Sequence, residues 1–143
     1  MAYISQEMKK ELAPEIKAVL KKYGVKGTIA IRNHRSNHTL VVNIKSGKLD
    51  LIGDYNRKID YHNEFSNGRL TNKSRGELHF RNGHIDDYTM NETVKNFYKE
   101  LFKAMKGDVW WYDNSDPMTD YFNAAYYLEV NVGKWDKQYI FER

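Results

Sequence analysis

Tyr126-Tyr127-Leu128-Glu129-Val130-Asn131-Val132 alternates between two kinds of side chain. Tyr126, Leu128, Val130 and Val132 fall on one face, and Tyr127, Glu129 and Asn131 on the other. A period of two marks a strand with one face buried. Upstream, Val94, Phe97, Tyr98, Leu101, Phe102 and Met105 recur at the three- and four-residue spacing of an amphipathic helix. Thr89 with Glu92 reads as a capping box that opens this helix, and Gly107 closes it. A helix followed by a half-buried strand belongs to folds in which helices cover one face of a sheet.

The same two periods recur toward the N-terminus. Ile4, Met8, Leu12, Ile16, Val19, Leu20 and Tyr23 form an apolar stripe over residues 5–23, with Ser5 as N-cap and Gly24 just past the C-terminus. Pro14 lies inside it, removes an amide and crowds the preceding turn, so a kink is expected. Residues 28–32 alternate with Ile29 and Ile31 on one face, and residues 39–45 with Leu40, Val42 and Ile44 on one face. The polar stretch 33–38 between them predicts a hairpin whose loop is longer than two residues. Beyond it Leu49, Leu51 and Ile52 are apolar islands, residues 56–74 are polar, and residues 77–81 predict a short strand. Residues 138–141 predict a last one.

These elements define an α+β fold: an antiparallel sheet of three to five strands with two helices packed on one face, in the order α-β-β-(β)-α-β-β. One domain over residues 1–143 is expected, with a long, partly irregular insertion at about 46–88. The other sheet face is left open. Thr28, Ala30, Arg32, Val41, Asn43, Lys45, Tyr127, Glu129 and Asn131 are expected on it.

A chain of 143 residues, 41% hydrophobic and 14% aromatic, is long enough for a real core. The net charge of +4, from 23 basic and 19 acidic residues, favours phosphate-rich partners only mildly. The absence of cysteine excludes disulfides, thiolate metal sites and a cysteine nucleophile. The N-terminus lacks the pattern of a signal peptide, and no apolar run approaches the length of a membrane span. A cytoplasmic protein is expected.

The candidate site residues fall into two sets. Trp111, Tyr112, Asp113, Asp116, Tyr127 and Glu129 combine exposed aromatics with acids and are expected to bind a partner. Asp113-Asn114-Ser115-Asp116-Pro117 reads first as a turn in which the short polar side chains bond their own backbone. Arg32, Arg35, Arg57, Lys58, Arg69 and Arg75 interleave with Tyr55, Tyr61, Phe65 and Phe80, the combination suited to backbone contact and base stacking. His34 and His38, with Asp54, Asp60 or Glu64, are the residues a metal-dependent hydrolase would use. Their four-residue spacing lies on a hairpin loop, without the shared helix face of a metal clamp. No metal, cofactor or catalytic residue is assigned. No nucleophile elbow or phosphate loop is present.

Residues 112–116 and 120–122, then Tyr126-Tyr127-Leu128-Glu129-Val130-Asn131-Val132-Gly133-Lys134-Trp135, resemble the C-terminal motif of small uncharacterised bacteriophage proteins. They also resemble one of the large polyvalent protein-associated domains of phages and mobile elements. Lys26-Gly27-Thr28-Ile29-Ala30-Ile31-Arg32 and Leu40-Val41-Val42-Asn43-Ile44 are similar to the same group. The resemblance rests on the two ends of the chain and carries no catalytic residue. It implies a phage product acting on host immunity or host nucleic-acid machinery. Together with an aromatic-rich single domain that lacks catalytic motifs, it makes the leading expectation a phage accessory protein that inhibits a host defence system, CRISPR-Cas foremost, by stoichiometric binding to a defence protein or nucleoprotein complex in the host cytoplasm. A DNA- or RNA-binding module is the alternative, and a metal-dependent hydrolase or nuclease the second.

Overall fold

The computed structural model describes residues 3–34, 37–65, 76–81, 84–108, 111–112, 125–134 and 136–142. The elements are α1 (Gln6–Lys22), β1 (Val25–His34), β2 (Asn37–Gly47), α2 (Leu51–Phe65), β3 (Leu78–Arg81), α3 (Ile85–Tyr88), α4 (Glu92–Lys106), β4 (Tyr127–Val132) and β5 (Ile140–Phe141). The α+β class holds. Among the described residues no helix is long and apolar enough to cross a membrane.

The helix α1 forms where its stripe predicts. The Ser5 hydroxyl accepts from the Met8 amide at 3.1 Å, and Leu12, Ile16 and Leu20 are buried. The helix runs through Pro14 without a break. Gly24 follows at φ +67, a conformation costly for any residue with a Cβ. In α4, all six apolar positions read from the sequence are buried. Its N-cap is Asn91, whose side chain accepts from the Thr93 and Val94 amides; Thr89 instead donates its hydroxyl to the Ile85 carbonyl and closes α3. The N-cap therefore lies two residues further on than the sequence pattern suggests, and no reciprocal box forms: position 94 is a valine, and the Asn91 amide donates to Asp54 instead.

The sheet order is β1-β2-β4-β3, with β5 pairing with β2 beyond the end of β4. β1–β2 and β3–β4 are antiparallel, while β2–β4 is parallel, in register from Thr39↔Tyr127 to Ile44↔Val132. The sheet is therefore mixed rather than wholly antiparallel. The long crossover through α2, β3 and α4 brings β4 back in the direction of β2 and inserts it between β2 and β3. The β1–β2 ladder continues to His34↔Asn37, so the strands run further into the 33–38 stretch than expected.

Leu40, Val42 and Ile44 of β2, Leu128, Val130 and Val132 of β4, and Leu78 and Phe80 of β3 line the buried face. They meet Ile16 and Leu20 of α1 and Phe97, Tyr98 and Leu101 of α4 in one core. Complete burial of each such side chain contributes about 1.5–3 kcal/mol. Within the expected irregular insertion, residues 51–65 are helical. The Asp50 carboxylate accepts from the Gly53 amide at 3.1 Å and starts α2, and the buried Leu51 and Ile59 flank half-buried Tyr55 along one side. The buried Asp54 carboxylate accepts from the Met90 and Asn91 amides at 2.8 and 2.9 Å, fastening α2 to the start of α4.

Candidate functional site

The register stacks the open face into rows. Thr28, Asn43, Asn131 and His79 face one another across four strands. Ala30, Val41, Glu129 and Arg81 form the next row, and Arg32, Thr39 and Tyr127 the third. Each set arises because successive side chains in a strand point to opposite faces.

A connected polar network ties these rows. The Arg32 guanidinium forks onto Glu129, with Nη2 to Oε1 and Nη1 to Oε2 both at 2.8 Å. This is the bidentate geometry for which arginine is suited. The fork crosses the middle strand diagonally between Thr39 and Val41, which are 5% and 4% exposed. Asn131 Nδ2 donates to Glu129 Oε2 at 3.2 Å and to Asn43 Oδ1 at 3.1 Å. That leaves Asn131 Oδ1 as the acceptor for His79 Nδ1 at 2.7 Å, and His79 Nε2 lies 3.3 Å from Glu77. Arg81 rests over the Tyr127 ring, 5.4 Å from its centroid.

Burial is the largest influence on the Glu129 carboxyl and acts to raise it. The Arg32 hydrogen bonds and charge, with Asn131 and Arg81, outweigh burial together and hold the carboxyl below its ordinary value. Hydrogen bonding to Glu129 in turn raises the Arg32 guanidinium. The result is a connected array of charged and hydrogen-bonding groups on one sheet face.

Tyr127 and Glu129 of the expected partner-binding set thus meet Arg32 of the expected nucleic-acid set in one network. Trp111 is placed elsewhere. It is half-buried, its indole donates to the Tyr126 carbonyl at 3.1 Å, and Lys106 sits 4.5 Å from its ring centroid at the end of α4. Tyr112 is 45% exposed, and its carbonyl accepts from the Ala125 amide. Asp113 and Asp116 lie outside the described residues, as do Arg35, Arg69 and Arg75.

Of the expected nucleic-acid set, Arg32, Arg57 and Lys58 lie among the described residues. Arg32 is held by Glu129, and Arg57 lies 3.2 Å from Asp50 and 3.9 Å from buried Asp54. Lys58 is half-buried on α2. Both guanidinium groups have carboxylates within ion-pair distance. His38 is used structurally: its Nδ1 lies 3.1 Å from the Ile4 amide and 3.0 Å from its carbonyl, and Tyr3 packs against the ring. The described residues contain no group of three or more acidic or histidine side chains placed to hold a metal. The sequence sets left out His79 and Arg81. Their alternation with buried Leu78 and Phe80 marks them as open-face residues.

No family model, curated protein or solved structure matches the chain.

Proposed function

We propose that the protein acts by stoichiometric binding, docking the open face of its sheet on a protein or nucleoprotein complex of a host defence system. The setting is the one implied by the phage-like sequence resemblance, with a CRISPR-Cas effector as the target. The observation that supports binding is the tied network centred on Glu129 and Arg32. Side chains already held in one arrangement lose little freedom on docking, which favours affinity. Arg81 and Tyr127 are of the residue types that most often anchor interfaces, and they sit together at one edge of the network.

Titration of a purified CRISPR-Cas effector in a target-cleavage assay tests the reading. Inhibition is expected to be complete near one equivalent. The combined Tyr127→Ala and Arg81→Glu changes are expected to weaken it at least about tenfold, the scale of about 1.4 kcal/mol. Inhibition that is complete at a small fraction of an equivalent would mean turnover and would sink the proposal. An effector left untouched, or inhibition indifferent to the two changes, removes the target or the face respectively.

A further inference from the structure

Two clefts open at one end of the sheet, where β2 and β4 finish and β1 begins. The smaller, about 300 Å³, is lined by Lys45, Lys134 and Lys137, with Asn43, Ser46 and Gln138 between them. The larger, about 560 Å³, is lined by Lys17, Lys21, Lys26 and Lys48. The clefts are neighbours: Lys26 and Ile140, one from each lining, both pair with Ser46 of β2. Glu142 is the one acidic residue among the described linings, and it lies 3.3 Å from Lys26.

The fold explains part of this charge. Lys21 lies in the last turn of α1, where the helix dipole favours a cation. Lys45, Lys134 and Lys137 are different. All three are exposed, and among the described residues none has a carboxylate within ion-pair distance. A tight turn holds two of them: the Lys134 amide donates to the Lys137 carbonyl at 2.8 Å, and the Lys137 amide returns the bond at 3.2 Å. Residues paired in this way carry their side chains on the same side of the ribbon. The exposed Asp136 lies between Lys134 and Lys137 in the turn but is within ion-pair distance of neither, so the three ammonium groups are only partly balanced, and a bound anion relieves their repulsion.

We propose that this lysine-lined end binds the phosphodiester backbone of a nucleic acid. Lys45, Lys134 and Lys137 hold one phosphate in the smaller cleft, and the neighbouring groove receives the next along the strand. Asn43, Ser46 and Gln138 supply neutral hydrogen bonds to phosphate or sugar, contacts that position a strand without reading its sequence. The site meets the Arg32–Glu129 network at Asn43, which lines the cleft and accepts from Asn131, but its lysines lie outside that network and do not depend on the open-face reading.

Fluorescence anisotropy with a labelled 15-nucleotide single-stranded DNA, the matching RNA and the matching duplex tests the site. Binding is expected to weaken with salt, with a log–log slope of about −2 to −4, as for three to five neutralised phosphates. Combined Lys45→Glu, Lys134→Glu and Lys137→Glu changes are expected to cut affinity more than about tenfold and flatten the slope. A control with Lys10→Glu, Lys99→Glu and Lys103→Glu alters net charge equally on the helices and is expected to change affinity much less. Circular dichroism verifies folding, and Lys134→Ala alone carries the test if the triple variant unfolds. No binding to any of the three at 50 mM salt overturns the proposal. Equal losses in the triple variant and its control also overturn it. So does equally tight, equally lysine-dependent binding of poly-glutamate, which would assign the site to acidic protein.

Discussion

Breaking the Arg32–Glu129 fork separates a fixed network from a decorative surface pair. The two N–O contacts of 2.8 Å put the charge centres about 4 Å apart. At an effective dielectric of about 20, that distance corresponds to about 4 kcal/mol. The Glu129 side chain is 13% exposed and that of Arg32 50%, so water screens the arginine end. Fully exposed pairs are worth about 0.2–1 kcal/mol. The geometry lies between these limits and predicts a coupling of about 1.5 kcal/mol. Arg32→Met is expected to cost more than Glu129→Gln, about 2 against about 1 kcal/mol, because it strands a mostly covered carboxylate. Urea denaturation of the wild type, both single variants and the double variant closes the cycle. The pH dependence has a definite sign. Glu129 titrates below its ordinary 4.5, so its stabilisation is complete above that value and is lost as pH falls through the lowered one. A coupling under about 0.5 kcal/mol at pH 7, or one that persists when Glu129 is protonated, would refute the reasoning.

Other parts of the fold yield sharper single-site tests. Asp54→Asn leaves one carbonyl oxygen for the Met90 and Asn91 amides that Asp54 now serves, and is expected to cost about 2 kcal/mol in urea denaturation. Tyr98 is fully buried and its hydroxyl has no hydrogen-bond partner among the described residues, so Tyr98→Phe is expected to raise the melting temperature, corresponding to up to about 1 kcal/mol. A clear loss of stability would instead reveal a partner for that hydroxyl. Burial pushes the Tyr126 hydroxyl up from 10.0 to about 12, so its contribution is whole below pH 10 and is lost between pH 10 and 12. Urea denaturation across that window is expected to show a steep fall. Tyr126→Phe is expected to reduce it, leaving the shares of Tyr98, Tyr139 and Tyr88, which burial also raises, and of Tyr23, which its hydrogen bond to Glu100 raises.

Much of the architecture follows from local periodicity. The apolar stripes of α1 and α4 and the alternation of β1, β2 and β4 were legible because each is set by the geometry of its own backbone. The open face followed as the complement of the buried one, and Arg32, Asn43, Tyr127, Glu129 and Asn131 all stand on it. Local signals faded where partners were distant. The apolar side of α2 is narrow, carries a glycine at Gly53 and is broken by Asn56, Arg57 and Lys58; its half-buried helix is secured by Asp50 and by the Asp54 bonds to the start of α4. The α4 cap was misplaced by two residues because Thr89 and Asn91 are both good caps and only the course of α3 chooses between them.

The sequence by itself determined which residues turn inward and which turn outward, since that depends only on a period of two or 3.6. It did not determine strand direction or neighbours, because alternation is identical in parallel and antiparallel pairs. Only the tertiary structure placed β4 parallel to β2, and with it Glu129 within reach of Arg32 and Asn131 beside His79. The same closure brought Lys45 alongside Lys134 and Lys137. Such meetings join residues far apart in the chain, and they exist only once the whole core has offset the entropy of closing the loops between them.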